Sequence, residues 1–389
     1  MADAAHAADT QPDAPQSRAD ALLARMTLEE KAGQLHTVDA SGPHPAGRLG
    51  GEIAAGRIGA VINQVDLETL RELQRVAVED SRLGVPLLVS RDVIHGFNTI
   101  FPLPIGQACS WNPDLVRECA RAAAGEAAAS GVRWTFAPMV DIARDARWGR
   151  IAESLGEDPY LASVLGAAMV EGFQGEGLSQ PGTLAACVKH FAGYGASEGG
   201  RDYDATNIPD NELRNTYLPP FRAALKAGAA SVMTSFGDID GVPATGNAYL
   251  LGDILRGEWD FDGVVVSDWD AIGQLITHGL SEDMAAAARE AAEAGVDMDM
   301  MSAAFIAHLP RLVREGIVDE TRLDAMARRV LTLKAALGLF DDPYGEVHCS
   351  AAPSRNAALD LARRAARESF VLLKNDAGAL PLDLDATTR

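Results

Sequence analysis

A chain of 389 residues that is 47% hydrophobic and 23% charged carries enough material for one large domain or two smaller ones. Its formal net charge of −21 argues against the basic face that nucleic acid and anionic membrane surfaces require, so neither is an expected partner. The four cysteines, Cys109, Cys119, Cys187 and Cys349, show neither C-x-x-C nor zinc-like spacing and read as free thiols, and no stretch approaches the ~20 apolar residues needed to cross a bilayer.

The first twenty residues contain no apolar h-region of a secretory signal, and residues 1–25 read as a disordered lead-in. Periplasm and cytoplasm both stay open as compartments. Structure is expected from Met26, where Thr27 and Glu30 spell a capping box. Gly59 to Asn63 is the first buried strand candidate, followed by a helix over 67–82 and a second strand from Val85 that ends in Ser90-Arg91-Asp92. The same grammar recurs: 134–138 runs into Asp141, 185–188 into Lys189-His190, 230–234 into Ser235, and 264–266 into Ser267-Asp268, with 295–298 after it. Ala-rich helical segments over 114–130, 158–174, 210–227 and 283–294 lie between them. Alternation through about seven units is the signature of a parallel α/β fold. Nearly every strand ends in polar or charged residues, whereas an open doubly wound sheet gathers them at one switch point. A closed (β/α)8 TIM-like barrel over 26–340 is therefore the expected architecture.

Beyond Met301 two helices follow; Asp319 caps the second, whose Leu323, Met326, Val330, Leu333 and Leu337 fall on one face, and Gly338 ends it. Residues 341–355 are punctuated by Pro and Gly and read as a linker. Residues 356–389 then offer an amphipathic helix to Glu368 and a strand-like run, Phe370 to Asn375, which needs a sheet to join. They read as the start of a truncated second domain.

The chemistry-bearing residues sit at the strand ends. Val264-Val265-Val266 is an unalternating β-branched run of the kind buried on both faces of a parallel sheet, and Asp268 follows it beside Trp269, which can stack on a sugar face. A carboxylate so placed is a candidate glycosidase nucleophile, or else the cap of the next helix. Asp92 can grip adjacent hydroxyls or cap its loop. Arg150 and Glu153 suit a structural ion pair as well as a binding role. Lys189 and His190 are costly to bury unless paired, and two donors aimed at one hydroxyl cluster make a binding arrangement, against a satisfied structural histidine. Met233 is read as core or as ligand contact. The loop from Gly193 to Asp204, with Arg201, Tyr203 and Asp204 on it, is glycine-rich enough to fold over a pocket. The eight histidines lie far apart with no metal-ligand spacing, no G-x-S-x-G elbow is present, and the G-x-G-x-x-G phosphate loop is missing its third glycine after Gly195. No metal and no cofactor is expected.

Taken together, Asp92-x-x-His95-Gly96, Arg147-Trp148-Gly149-Arg150-x-x-Glu153-x-x-Gly156-Glu157-Asp158, Lys189-His190-Phe191 and Ser267-Asp268-Trp269, in this order on successive strand ends, closely resemble glycoside hydrolase family 3, most of all its bacterial β-glucosidase branch. The resemblance runs from about Met26 to Leu382. It implies a (β/α)8 first domain followed by an α/β sandwich domain that this chain only begins. It implies Asp268 as the nucleophile of a retaining mechanism, Asp92, Arg150, Lys189 and His190 as the grip on the sugar, and Met233 and Trp269 as residues that touch it or wall the next subsite. Xylosidase-like members carry Glu where Asp92 stands, so a glucose-like hexose is implied. The Lys189-His190-Phe191-Ala192-Gly193-Tyr194-Gly195 run departs from the K-H-F-P-G-H-G of members that cleave N-acetylglucosamine. Many fungal members place a Tyr near Phe236 to hydrogen-bond the nucleophile, which Phe cannot do.

The acid/base of the family is generally a Glu of the second domain, so a second α/β sandwich domain or partner chain is expected to supply it, with a β-glucoside or oligosaccharide as substrate. The alternatives are a sugar-binding barrel without catalysis and a β-xylosidase or N-acetylglucosaminidase.

Overall fold

The computed structural model describes residues 15–382. Eight parallel strands form one sheet: β1 (His36–Asp39), β2 (Ala60–Ile62), β3 (Leu88–Arg91), β4 (Trp134–Thr135), β5 (Ala185–Phe191), β6 (Ser231–Thr234), β9 (Val264–Val266) and β10 (Asp299–Met300). A two-residue pair, β7 (Asp238–Ile239) and β8 (Val242–Pro243), makes a separate antiparallel ribbon in the loop after β6. Neighbours in sequence are neighbours in the sheet, and β10 pairs with β1. The remaining seam is stitched by a parallel bridge between Val266 and Met298, where Ser267 N–H donates to Met298 O at 2.9 Å and Met298 N–H to Val265 O at 3.0 Å. The sheet thereby closes as a (β/α)8 barrel.

Every residue of β5 and β9 is buried, as the apolar runs Ala185–Val188 and Val264–Val266 require of strands covered by side chains inside the barrel and helices outside. Helices Pro113–Ala129, Pro159–Gln174, Leu218–Lys226, Met284–Ala294, Ala304–Arg314 and Glu320–Ala336 make much of the outer layer. Asn112, Asp158 and Asp283 cap three of them by accepting the N–H of Leu115, Leu161 and Ala286. The Thr27–Glu30 capping box is formed in both directions. Gly172 lets the second of these helices press on the first, since a Cβ there would stand 2.5 Å from Arg117 O.

Several segments differ from the sequence expectation. Strand β1 was not anticipated: His36-Thr37-Val38-Asp39 is half polar, and it is extended because β2 and β10 pair with it from both sides. The region expected as one helix over 67–82 is α-helical for Leu67–Arg75 and widens into a π turn over Val76–Asp80. Within the expected disordered lead-in, Pro15–Leu23 is a helix, which corrects that reading from residue 15 on; residues 1–14 lie outside the described residues. Ala19 and Leu23, four apart, are buried against helix Glu320–Ala336, and Arg328 donates to Asp20 at 2.6 Å.

The expected linker is anchored, with His348 buried and its Nδ1 accepting Gly182 N–H at 3.0 Å. Helix Arg355–Glu368 lies along helix Pro113–Ala129 through an Arg364–Glu118 ion pair and an Asn112–Glu368 hydrogen bond of 2.8 Å. The run expected as a strand from Phe370 pairs with nothing among the described residues, and Leu373 is 91% exposed.

Candidate active site

All seven sequence-derived site residues lie at or just beyond the C-terminal ends of the barrel strands or in the loops that follow them. Asp268 comes two residues after β9, buried, with its Oδ1 accepting Trp269 N–H at 2.6 Å. Its Oδ2 is also buried yet accepts no hydrogen bond among the described residues. Burial pushes this carboxyl up to about 6, against the pull of Lys189, the Trp269 N–H and Arg150.

The pairing register of β5 with β6 shifts between Val188 and Phe191, and Lys189 and His190 occupy that irregularity. An irregularity of this kind re-aims side chains. Lys189 Nζ donates to Asp92 Oδ1 at 2.6 Å, joining the ends of β5 and β3 across 97 residues of sequence. His190 is fully buried; its backbone N–H and its Nδ1–H both donate to Asp141 Oδ2, at 2.9 and 2.8 Å. Burial, Arg150 and Lys189 hold the imidazole well below its ordinary pKa, so the ring is neutral. Burial raises Asp141 to about 7, although the His190 N–H and Arg150 work against it. With the proton on Nδ1, His190 Nε2 presents a lone pair, 3.4 Å from Asp268 Oδ2. Two acceptors face each other there. A hydroxyl donor placed between them would satisfy either one.

Arg150 adds a further positive charge, felt by both Asp268 and His190. It grips Glu153 with two hydrogen bonds, 2.8 and 3.0 Å, and lies 5.7 Å over the Tyr194 ring. Burial works against its charge, but the Glu153 carboxylate outweighs it and the guanidinium stays charged. Trp269 stands at the rim, 41% exposed. Met233 is buried on β6 in register with Val266 and belongs to the main apolar core, so its strand position adjoins the site while its burial is that of a core residue.

Motif and spacing alone assign no role to Asp141, Tyr194 or Asp39. Asp141 carries the same strand-end signal as Asp92, but only the fold shows that it orients His190. Asp39, Asn63 and Arg91 form a polar chain across the ends of β1 to β3, with Arg91 donating to Asn63 at 2.8 Å and Asn63 to Asp39 at 3.0 Å. Among the described residues no group of three His, Cys, Asp or Glu side chains is placed to hold a metal ion, and no helix is long and apolar enough to cross a membrane.

The sequence profile of the glycosyl hydrolase family 3 N-terminal domain matches residues 27–333. The chain belongs to glycosyl hydrolase family 3. A periplasmic beta-glucosidase of Salmonella typhimurium is 41% identical over 386 residues, covering 97% of this chain and 50% of that protein. A beta-xylosidase of Formosa agariphila is 36% identical over 355 residues, covering 84% of this chain and 48% of the other. Among solved structures, the beta-glucosidase of Listeria innocua in complex with glucose superposes with a TM-score of 0.90 at 41% identity, over 94% of this chain and 53% of that one. This family 3 chain thus spans about half the length of the relatives it matches.

Proposed function

We propose that this chain is the nucleophile-bearing part of a retaining β-glycosidase that releases terminal β-D-glucose. The observation that carries the reading is Asp268: a buried carboxylate at the C-terminal end of a barrel strand, one oxygen held by a backbone N–H and the other without a donor, near Lys189, neutral His190 and Arg150. A double displacement needs such a carboxylate to attack the anomeric carbon and a second carboxyl about 5–5.5 Å away to protonate the leaving oxygen. Lys189 with Asp92, and Arg150 with Glu153, present charged donors and acceptors to the sugar hydroxyls. Their mutual pairing keeps them rigid and lets part of their hydrogen-bonding capacity be spent on substrate. The names of the Salmonella and Listeria proteins support glucose as the sugar, and Asp92 in place of a glutamate favours it over xylose.

The proton donor is proposed to come from the second domain or a partner chain. Glu153 is engaged by Arg150 in a bidentate pair and Asp141 is committed to His190, while Glu157 and Asp270, the other carboxylates close in sequence, match no motif for the role. A 2-deoxy-2-fluoro glucosyl fluoride tests the nucleophile separately from the acid, because fluoride leaves without a proton. Intact mass is expected to show one covalent sugar, and peptide mapping to place it on Asp268. Absence of an adduct at saturating reagent would favour a barrel that binds sugar without chemistry.

A further inference from the structure

Asp268 is short of donors. Oδ2 is buried and unpartnered, and the nearest ring nitrogen, His190 Nε2, offers a lone pair. On the Phe236 side of the site two tyrosine hydroxyls make no hydrogen bond among the described residues, the buried one of Tyr194 and the half-exposed one of Tyr203, and of the two Tyr203 is the one free to meet a ligand. The loop that carries it is pinned to the barrel. Gly200, at φ 67°, passes so near Arg147 and Trp148 that a Cβ would lie 2.9 Å from Trp148 N, and Trp148 Nε1–H donates to Asp202 Oδ1 at 3.1 Å. Tyr203 follows in a left-handed conformation, φ 66°, with its ring centroid 4.5 Å from that of Phe236 and 6.4 Å from that of Tyr194. Tyr194 in turn stands 5.2 Å from His190, so the Tyr203 ring is the outermost member of an aromatic stack that ends on the site. It is 50% exposed, and its hydroxyl makes no hydrogen bond among the described residues. A left-handed backbone at a tyrosine, held by its surroundings and leaving the phenol unused, is the kind of local strain found where a side chain must be aimed. Burial and then the negative charge of Asp268, ahead of any other charged group, raise the phenol above its ordinary pKa, which places it in the field of the nucleophile.

We propose that Tyr203 is a substrate-contacting residue of this site, its ring closing the Phe236 side of the pocket and its hydroxyl donating to the sugar hydroxyl adjacent to the anomeric carbon. That hydroxyl is the one that must lie beside Asp268 when the carboxylate attacks, and hydrogen bonds to it strengthen as the oxocarbenium character develops. This rests on the glycosidase reading above.

The test is Tyr203→Phe in the full-length enzyme, which keeps the ring and its packing and removes the hydroxyl alone. With an aryl β-glucoside, kcat/KM is expected to fall about tenfold, the scale of one hydrogen bond to a neutral hydroxyl, with Tm unchanged. With the matching 2-deoxy glucoside, which lacks the partner hydroxyl, the same substitution is expected to change the rate less than about twofold. A Tyr203→Phe enzyme within twofold of the parent on the glucoside overturns the proposal, and so does an equal loss on both substrates, which would mark a structural role. Hydrolysis of the glucoside by the unsubstituted enzyme reports on the glucosidase reading separately, so a flat result in an active enzyme removes this inference and leaves that reading standing.

Discussion

Asp268 and Asp297 flank the seam where the barrel closes, one just past the C-terminal end of β9 and the other just before β10, and both are buried. At the bottom, Asp297 is fully engaged: Oδ2 accepts from Arg256 at 2.7 Å and from Val265 N–H at 2.8 Å, and Oδ1 accepts from Arg329 at 3.0 Å. At the top, Asp268 has one donor and a buried oxygen with none. The same residue type, buried at both ends of one seam, is thus satisfied at one end and left wanting at the other. The end that is satisfied holds the barrel shut; the end left short of donors can accept them from a substrate.

Substitution should separate the two roles. Asp268→Asn is expected to lower kcat by about 10⁴-fold or more, the cost of removing the proposed covalent nucleophile, in steady-state assays on an aryl β-glucoside. Its stability should move the other way. Burial raises this carboxyl to about 6, above its unfolded value, so the fold bears a cost that is absent below the unfolded pKa and fully present above about pH 6. At neutral pH the variant should gain on the order of 2 kcal/mol, seen as a higher Tm by calorimetry that converges with the parent under acid conditions. A lower Tm for Asp268→Asn at neutral pH would break the contrast.

Asp297→Ala should do the reverse, leaving Arg256 and Arg329 uncompensated and costing about 3 kcal/mol in urea unfolding, while activity per folded molecule holds. Next in size is Asp141→Asn. An amide can still accept from one N–H of His190 but brings its own donors and no charge, so the ring's tautomer and orientation loosen, and kcat/KM is expected to drop by about 10–100-fold. The smallest effect is one of pH. On the proposed reading Asp268 must be ionised to attack, so kcat/KM in the parent should fall as pH drops through about 6, and Lys189→Met, which removes the first of the charges pulling that carboxyl down, should shift the limb to higher pH. An unshifted limb in Lys189→Met would mean that Lys189 serves Asp92 alone.

Much of the barrel was legible because buried parallel strands must be continuously apolar and must end in the polar groups that face the cleft. Val264-Val265-Val266 before Asp268, and Ala185-Ala186-Cys187-Val188 before Lys189, announce themselves that way. Strand β1 escaped because His36 and Asp39 break its pattern, and residues 15–23 escaped because the two side chains that dock them, Ala19 and Leu23, are a faint stripe among polar neighbours. In the site, the identities of Asp92, Arg150, Lys189, His190 and Asp268 could be read from strand-end motifs, whereas their partners could not. Asp141 is 49 residues from His190, and nothing in either segment names the other.

By itself, then, the order of residues determined most of the strands, that they alternate with helices, and which side chains arrive at strand ends, since these follow from local periodicity and from the cost of burying polar groups. The tertiary structure decided that β10 returns to β1 and that Val266 meets Met298, because closure depends on the tilt and pairing of all eight strands together. It also decided the charge state of the site. A carboxylate's pKa is set by how much water its neighbours exclude and how near their charges stand, and those distances exist only once the barrel has closed around Asp268.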